Sequence, residues 1–322
     1  MHLATHVFEV LKDYEICEKL FCITSDGAGN NGTMCKSLSK SLKDEKGIKW
    51  DLKQHHIACM NHVINLAVQS FLKSIKGIQG DENDEEIEDT DLLNKEELLP
   101  EGFAIVMWKI RSITKVSSKV TFTDKQKIAS SSLCTERFKE CCKFVKLTVL
   151  KLIYDVVTRW DSAYKMLSRA LYLRKAIDYY IAEDEDLQMF ALSKKEWDQA
   201  SVVCTILLPF KMASQRLQAT KCPGIDSVFW DYETLFNKID AIKETLSQPE
   251  YAHKDWIHEL HSGGEKLSEK LGEYYSKTAM PFVYPDACIL EPVGKLILFK
   301  QERFSGGPVG QWVEKYKQQC HE

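Results

Sequence analysis

The sequence contains 322 residues, 44% of them hydrophobic and 28% charged, and its formal net charge at pH 7 is −4. These values are ordinary for a globular protein, and they exclude a fibrous or wholly disordered chain. No apolar run approaches the roughly 20 residues that a membrane-crossing helix needs, so we expect no contact with a membrane. The chain also lacks the basic start and apolar stretch of a signal peptide, which favours the cytosol or the nucleus.

The charge is distributed unevenly along the chain. Residues 81–101 contain eleven acidic side chains and one lysine, which leaves a net charge of about +6 on the rest of the sequence. A mildly basic remainder permits contacts with phosphate groups. The eleven cysteines form no Cys-x-x-Cys pair. Neither a disulfide framework nor a zinc ribbon is therefore indicated.

The first 78 residues combine strand and helix patterns. The predicted elements are, in order, a helix over 3–14, a strand over 20–24, a helix over 28–42, a strand over 50–57 and a helix over 59–75. The strand over 20–24 is a continuous apolar run that a Gly-rich turn ends, which is typical of a buried strand. We expect residues 1–78 to form part of an α/β core.

The rest of the chain is predicted to be helical. Residues 79–101 have little apolar content and predict a solvated, disordered linker. Beyond them the apolar residues recur at helical spacing. The predicted helices lie near 102–117, 124–146, 160–182, 193–218, 224–247 and 252–277. We divide this region into a helical segment over 102–160 and a helical domain over 161–322.

The first polar motif is Thr24-Ser25-Asp26-Gly27-Ala28-Gly29-Asn30-Asn31. Asp26 directly follows the predicted buried strand, so the turn would hold its carboxylate at the edge of a sheet. A carboxylate in that position can bind Mg²⁺ together with acidic side chains from other strands. The alternative is structural: Asp26 and the asparagines form a turn and cap the next helix.

The second motif is His55-His56-Ile57-Ala58-Cys59-Met60-Asn61-His62. Cys59 and His62 are three residues apart and would share one face of a helix. With His55 or His56 they could be zinc ligands, because zinc binds Cys and His side chains. A structural zinc site needs four ligands, and no second cluster of this spacing follows. A buried cysteine beside a hydrogen-bonded histidine is the simpler interpretation.

The third motif is Asp155-Val156-Val157-Thr158-Arg159-Trp160-Asp161-Ser162-Ala163-Tyr164. Thr158 or Asp161 could cap the helix that follows. Arg159 offers a guanidinium that can pair with a phosphate, and Trp160 offers a flat ring on which a base can stack. The alternative is a buried tryptophan beside a surface arginine.

In this order the three motifs resemble those of the hAT superfamily of DNA transposases, particularly the fungal type. The family has a strand ending in Thr-Leu-Asp-Asn-Ala-Ser-Asn-Asn, an Arg-Cys-x-x-His block that continues into Asn-Leu, and Thr-Arg-Trp-Asn-Ser-x-Tyr-x-Met-Leu. The matching positions here are Thr24 to Asn31, Ala58 to His62 with Asn65-Leu66, and Thr158 to Leu167. The resemblance spans nearly all of the chain.

The resemblance implies a fold and a function. The fold would be an α/β ribonuclease H-like core interrupted by a large all-α insertion domain, predominantly helical overall. The function would be metal-dependent DNA cleavage and strand transfer in the nucleus, by an Asp/Asp/Glu triad that binds Mg²⁺. Asp26 would be the second acid of this triad, and Cys59, His62, Asn30 and Asn31 would lie near it. Arg159 and Trp160 would contact DNA at the transposon ends, in a protein that could form homo-oligomers.

Several departures from the family pattern lower the expected activity. Only 25 residues precede Asp26, which is too few for the strands that carry the first acid, so we expect that acid to be absent. We also expect the third acid, the N-terminal zinc finger and the C-terminal dimerisation region to be absent. Gly27, Ala58 and Asp161 replace Asn, Arg and Asn of the family. We therefore expect an internal fragment of a transposase-derived protein that is catalytically inactive by itself. The alternatives are a non-catalytic module that binds nucleic acid or protein, and a helical scaffold.

Overall fold

The computed structural model describes residues 2–75, 102–118, 127–156, 159–218, 224–278 and 281–291. The predicted acidic linker, Thr158 of the third motif and the residues after 291 lie outside these ranges. Most of the described residues are helical, as predicted. Among them, none of the helices combines the length and the apolar character needed to cross a bilayer.

The described elements are two strands, thirteen α-helices and two short 3₁₀ helices. The strands are β1 (Ile23–Ser25) and β2 (His56–Ala58). The helices are α1 (His2–Asp13), α2 (Gly29–Lys46), α3 (Leu52–His55), α4 (Met60–Ile75), α5 (Phe103–Ser118), α6 (Lys127–Phe144), α7 (Trp160–Tyr172), α8 (Arg174–Ala182), α9 (Lys194–Leu217), α10 (Val228–Leu246), α11 (Pro249–Ala252), α12 (Ile257–Thr278) and α13 (Val283–Leu290). The 3₁₀ helices are Cys17–Lys19 and Glu185–Phe190.

The chain divides into two compact units. The first unit comprises Met1–Ala67, Ala213–Asn237 and Ser268–Glu322, and the second comprises Val68–Met212 and Lys238–Leu267. Helices α4, α9, α10 and α12 contribute residues to both units. The boundaries predicted at residues 78, 101 and 160 come from composition, whereas the two units are defined by which residues pack together. The predicted boundaries therefore stay a prediction.

The first unit is built around β1 and β2, which pair in parallel with Ile23 opposite His56 and Ser25 opposite Ala58. Helices α1 and α2 pack together beside them. The buried residues of this cluster are Phe8, Leu11, Cys17, Cys35, Leu38, Leu42 and Trp50. Each fully buried leucine here stabilises the fold by roughly 1.5–3 kcal/mol. From α13 the Tyr284 hydroxyl donates a hydrogen bond of 3.0 Å to the Ala58 carbonyl, which joins α13 to the end of β2.

The second unit is all helical in its described part. Its long helix α9 begins with a capping box: the Ser193 amide donates to Glu196 Oε2 at 2.6 Å, and the Glu196 amide donates to Ser193 Oγ at 3.2 Å. Glu196 also pairs with Lys109 of α5 at 2.7 Å. The start of α9 is thereby fixed to α5.

Three predicted elements differ from the structure. The strand predicted over residues 20–24 as a buried strand is β1 (Ile23–Ser25), whose residues are half-buried or exposed. The strand predicted over residues 50–57 is wrong for its first part, because Asp51 caps the helical turn α3 by accepting a hydrogen bond from the Lys53 amide at 3.1 Å. The single helix predicted over 160–182 is two helices, α7 and α8. They meet at Leu173, whose ψ of 11° departs from helical geometry. Neither Gly nor Pro marks this break in the sequence.

Two neighbouring glycines on α12 differ in how closely α4 approaches them. A Cβ on Gly263 would lie 2.7 Å from Ile75 Cγ2 and 2.9 Å from Phe71 Cδ2, whereas a Cβ on Gly264 would meet nothing closer than Lys243 Cε at 3.9 Å. Phe71 and Ile75 are fully buried. Only Gly263 is therefore required by the close contact between α12 and α4.

We predict that Gly263→Ala lowers the free energy of unfolding by about 1–3 kcal/mol, because the new methyl group overpacks the helix contact. The control Gly264→Ala should raise it by up to about 1 kcal/mol, since alanine favours a helix more than glycine does. Urea unfolding followed by circular dichroism measures both changes. Equal effects of the two substitutions would contradict this account of the α4–α12 contact.

The end of α1 carries a non-glycine residue in the left-handed region. Glu15 has φ 53°, the Glu15 amide donates to Lys12 O at 3.0 Å, and the Ile16 amide donates to Leu11 O at 3.0 Å. These bonds define a Schellman cap, in which glycine is the usual residue. A glutamate here has an unfavourable backbone conformation and an unfavourable charge at the negative end of the helix.

We predict that Glu15→Gly raises the free energy of unfolding by about 0.5–1 kcal/mol, because glycine adopts this conformation without a steric cost. Glu15→Ala is the control: it removes the charge but keeps the strained backbone, so it should raise stability by a few tenths of a kcal/mol at most. The same urea titration compares the two variants. An alanine variant as stable as the glycine variant would show that charge, not backbone strain, sets the effect.

Candidate functional site

Asp26 lies where the parallel strands end. The Cys59 amide donates a hydrogen bond of 2.8 Å to the Ser25 carbonyl, which continues the pairing of β1 and β2 by one residue. The first residues after both strands therefore meet at one edge of this small sheet. The structure brings Asp26 of the first motif and Cys59 of the second motif to that edge.

The Asp26 carboxylate is held by its own turn. Oδ1 accepts hydrogen bonds from the Ala28 amide at 3.2 Å and from Asn31 Nδ2 at 2.5 Å. Asn31 and Asn30 belong to the first turn of α2, and Asn30 is exposed. The turn that the structural alternative predicted is therefore present. It leaves the Asp26 carboxylate exposed to solvent and fixed in direction.

His62 lies directly against this turn. Its imidazole Nε2 occupies the space that a Cβ on Gly27 would need, so a larger residue at position 27 would require the His62 ring to move. The His62 amide donates to Cys59 O at 3.0 Å at the start of α4. The second motif thus places His62 beside Gly27, the residue that follows Asp26. Cys59 of the same motif is a half-buried free thiol.

His56 and His55 have other partners. His56 Nε2 lies 2.8 Å from Ser25 Oγ, and burial lowers the pKa of His56, so the neutral imidazole is favoured. His55 Nδ1 lies 2.6 Å from the Phe21 carbonyl, and its ring is stacked on Trp50. Both histidines link β2 to the strand β1 or to its flanking residues.

The described residues do not supply a complete metal site. Within them no group of three or more His, Cys, Asp or Glu side chains could hold a metal ion. Mg²⁺ requires near-octahedral oxygen coordination, and a two-metal site needs several bridging carboxylates. Asp26 contributes one carboxylate. No reaction step through a metal is derived from this geometry.

The third motif lies in the second unit, at the start of α7. Trp160 is the first residue of α7 and is 4% exposed, whereas Arg159 is exposed. The arrangement of the structural alternative, a buried tryptophan beside a surface arginine, is therefore present. In this conformation the faces of the Trp160 ring are covered by protein and are not open to a base.

Asp161 was one of the two residues that the sequence predicted as a cap of the helix that follows the third motif. The cap position is occupied by Arg159 instead, with no side-chain cap, and Asp161 lies in the first turn of α7. Its carboxylate pairs with Lys165 at 2.6 Å and with Lys211 of α9. Burial raises the pKa of Asp161, but hydrogen bonds and charges from the two lysines outweigh that effect and lower the pKa overall. The negative charge is thus compensated by lysines.

A buried ion pair holds the segment before α7. Arg111 of α5 donates through Nε to Asp155 Oδ2 at 2.9 Å and also through Nη2. Asp155 is 2% exposed and Arg111 is 8% exposed. The Ser162 hydroxyl lies 2.7 Å from Asp155 Oδ1 and 2.6 Å from the Arg159 carbonyl. This Arg111–Asp155–Ser162 network fixes the backbone on which Arg159 is displayed.

Sequence reasoning missed most of this network. Asp155 and Ser162 stand inside the third motif, yet no role was predicted for either. Arg111 is 44 residues earlier in the chain and carries no local signal. Lys165, four residues after Asp161 on one helix, could have been identified as its partner from spacing.

Part of the chain is similar to a described protein family. Residues 104–206 match the model of the ZBED1 RNase-like helical domain. This range covers α5 to α8 and part of α9, including the third motif. No solved structure matches the chain.

Three relatives show the extent of the similarity. "Putative transcriptional regulator tpeD" of Talaromyces stipitatus is 29% identical over 100% of this chain and 33% of its own length. "Putative AC transposase" of Zea mays is 24% identical over 92% of this chain and 31% of its own length. "Zinc finger BED domain-containing protein RICESLEEPER 1" of Oryza sativa is 23% identical over 68% of this chain and 25% of its own length.

The chain spans about a third or less of the length of these relatives. The similarity to proteins of this group nevertheless extends over the α/β part as well as the helical part, because two of the three alignments cover more than nine tenths of the chain. The predicted resemblance is confirmed: the chain is related to the hAT-type transposases.

Proposed function

We propose that this chain binds DNA as part of a transposase-derived nuclear protein and does not cleave DNA by itself. The observation that supports the proposal is the exposed Arg159 at the start of α7. Among the described residues, its guanidinium forms no ion pair with a carboxylate, although Asp161 is only two residues away. An exposed arginine without a partner is available to a phosphate.

The surroundings of Arg159 favour an anion. The first amides of an α-helix point outward and carry a partial positive charge, so a phosphate is stabilised there. The carboxylate of Asp161 is compensated by Lys165 and Lys211. A guanidinium can donate two parallel hydrogen bonds to a phosphate, which fixes orientation as well as contact. The buried Arg111–Asp155–Ser162 network holds this backbone in place before DNA binds.

The second candidate function is metal-dependent DNA cleavage and strand transfer, and the geometry at Asp26 favours it. The carboxylate is exposed, fixed by Asn31 and adjacent to His62. Asp26 would be one ligand of a Mg²⁺ site, and the other ligands would come from outside the described residues. Bound Mg²⁺ would neutralise charge on the phosphate that is attacked.

We prefer the binding function for this chain. A single carboxylate does not make a two-metal site. The Talaromyces relative that matches the whole chain is named as a transcriptional regulator, which is a binding function. The proposal therefore assigns DNA contact to Arg159 and leaves cleavage to be tested directly.

We predict that Arg159→Gln weakens binding of a fluorescein-labelled mixed-sequence DNA duplex about tenfold at low salt, because one charge-assisted hydrogen bond worth about 1.5 kcal/mol is lost. The slope of log K against log salt concentration should fall by about 1, the change expected for one phosphate contact. Fluorescence anisotropy at several salt concentrations measures both quantities.

Arg174→Gln is the matched control, since Arg174 also stands at the start of a helix but already pairs with Asp178. It should leave affinity and salt slope unchanged. If both variants bind like the unmodified chain, Arg159 is not a phosphate contact and the proposal is wrong.

We predict that the chain does not nick supercoiled plasmid DNA in Mg²⁺ or Mn²⁺, and that Asp26→Asn leaves DNA affinity unchanged within about twofold, because the proposal assigns the phosphate contact to Arg159 and none to Asp26. Agarose gel analysis over several hours measures nicking. Metal-dependent nicking that Asp26→Asn abolishes would establish the second candidate function instead.

A further inference from the structure

An exposed pair of stacked aromatic rings stands out in the second unit. Phe144 is the last residue of α6 and is 67% exposed. Its ring is stacked on Tyr179 of α8, with centroids 4.5 Å apart and an interplanar angle of 20°. Phenylalanine is usually buried. A phenylalanine this exposed, with a second ring stacked behind it, forms a flat aromatic surface open to solvent.

The pair is held rigidly. Beneath it, Phe138 and Tyr180 of the same two helices make an edge-to-face contact with centroids 5.5 Å apart. Burial and the neighbouring Glu183 carboxylate raise the pKa of Tyr179, so its hydroxyl stays protonated. Little conformational entropy remains to be lost when a third ring stacks on this surface.

The helix end next to Phe144 is also fixed. The Leu147 amide donates to Cys142 O at 2.9 Å and the Lys146 amide donates to Lys143 O at 3.0 Å, which is a Schellman cap. Lys146 occupies the left-handed position of this cap with φ 57°. The cap therefore determines where Phe144 and Lys146 stand relative to one another.

Three lysines flank the aromatic pair. Lys143 precedes Phe144, Lys146 follows two residues later, and Lys175 lies one helical turn before Tyr179 on the same face of α8. All three are exposed, and none forms an ion pair with any residue that the structure describes. Two exposed carboxylates lie near the rings: Glu140, one turn before Phe144, and Glu183, next to Tyr179. The lysines outnumber the free carboxylates around the rings.

We propose that the Phe144–Tyr179 pair binds an unpaired base of single-stranded DNA by stacking, with the three lysines contacting the flanking phosphates. An aromatic platform combined with cationic side chains is the usual chemistry of single-strand binding. A base inside a duplex has both faces covered, so this surface selects unpaired bases. The centre of a protein interface is depleted in lysine, so the three lysines favour nucleic acid over a protein partner. The inference rests on the proposed DNA-binding function but uses a different surface.

The test measures binding of the full chain to a fluorescein-labelled single-stranded 20-mer and to the matching duplex, for Phe144→Ala, Phe144→Tyr and Leu133→Ala. Leu133 is the matched control because it lies on the same helix and is 63% exposed. Phe144→Ala should weaken single-strand binding between about fivefold and about a hundredfold, the range that base stacking supplies, with little change for the duplex. Phe144→Tyr should bind within about twofold of the unmodified chain.

Unchanged single-strand binding by Phe144→Ala overturns the inference, and so does equal weakening by Leu133→Ala. A change in oligomeric state of Phe144→Ala, seen by light scattering without a loss of single-strand affinity, would assign the ring to a protein contact and also overturn it. Because the proposed function is tested with Arg159→Gln on duplex DNA, the two can fail separately. If Arg159→Gln leaves duplex binding unchanged while Phe144→Ala weakens single-strand binding, only the proposed phosphate contact of Arg159 is wrong.

Discussion

The buried ion pair between Arg111 and Asp155 is the constraint on which the third motif depends. Both groups are almost fully withdrawn from water, and removing a charge from water costs several kcal/mol unless a partner and hydrogen bonds compensate. Here two guanidinium hydrogen bonds and the Ser162 hydroxyl satisfy the carboxylate. Removal of one partner from such a pair costs about 3–5 kcal/mol, although the intact pair adds little net stability.

The main effect of this ion pair is to fix the position of the backbone before α7. It joins α5 to the irregular segment before α7, where neither helical nor strand hydrogen bonds define the backbone. Ser162 then connects Asp155 to the Arg159 carbonyl. An arginine that is to contact phosphate must be presented at a fixed place and angle, and a loop alone would not do this. The network holds the Arg159 backbone in place without any contribution from a ligand.

The Asp26 turn depends on local interactions instead. Its hydrogen bonds come from residues two and five positions later, Ala28 and Asn31, and the constraint from outside the turn is the contact between Gly27 and His62. Local hydrogen bonds of this kind fix the direction of the Asp26 carboxylate, but they do not bring a second carboxylate next to it. Catalysis by two metal ions depends on acids from several strands, so the chemistry of Asp26 is decided by parts of the fold other than its own turn.

The sequence correctly predicted helices, whose positions follow from the spacing of apolar residues. It failed for features that depend on contacts between distant parts of the chain. Apolar spacing correctly placed α4, α5 and α9 to within a few residues, since burial of one helix face dominates those segments. The strand predicted over 50–57 was wrong for its first part, because the helix cap at Asp51 outweighs the weak alternation of apolar residues. Whether Trp160 is exposed could not be read from the sequence, since the burial of one side chain depends on how other segments of the chain pack against it. The site roles of Asp26 and Arg159 were predicted from local chemistry and from the resemblance, and those of Cys59 and His62 near the active site came from the resemblance alone. All of them stay predictions.

The sequence predicted that the third motif contacts phosphate through Arg159 and stacks on a base through Trp160. Because Trp160 is buried, only the phosphate contact can come from this motif. A tryptophan that packs inside the second unit stabilises the first turn of α7 and cannot stack on a base at the same time. Arg159, the helix amides and the compensated Asp161 remain suited to a phosphate. Stacking requires an aromatic face open to solvent, and Phe144 on Tyr179 provides one. Phosphate contact and base contact are therefore expected to reside on different helices, so substitutions at one should leave the other largely intact.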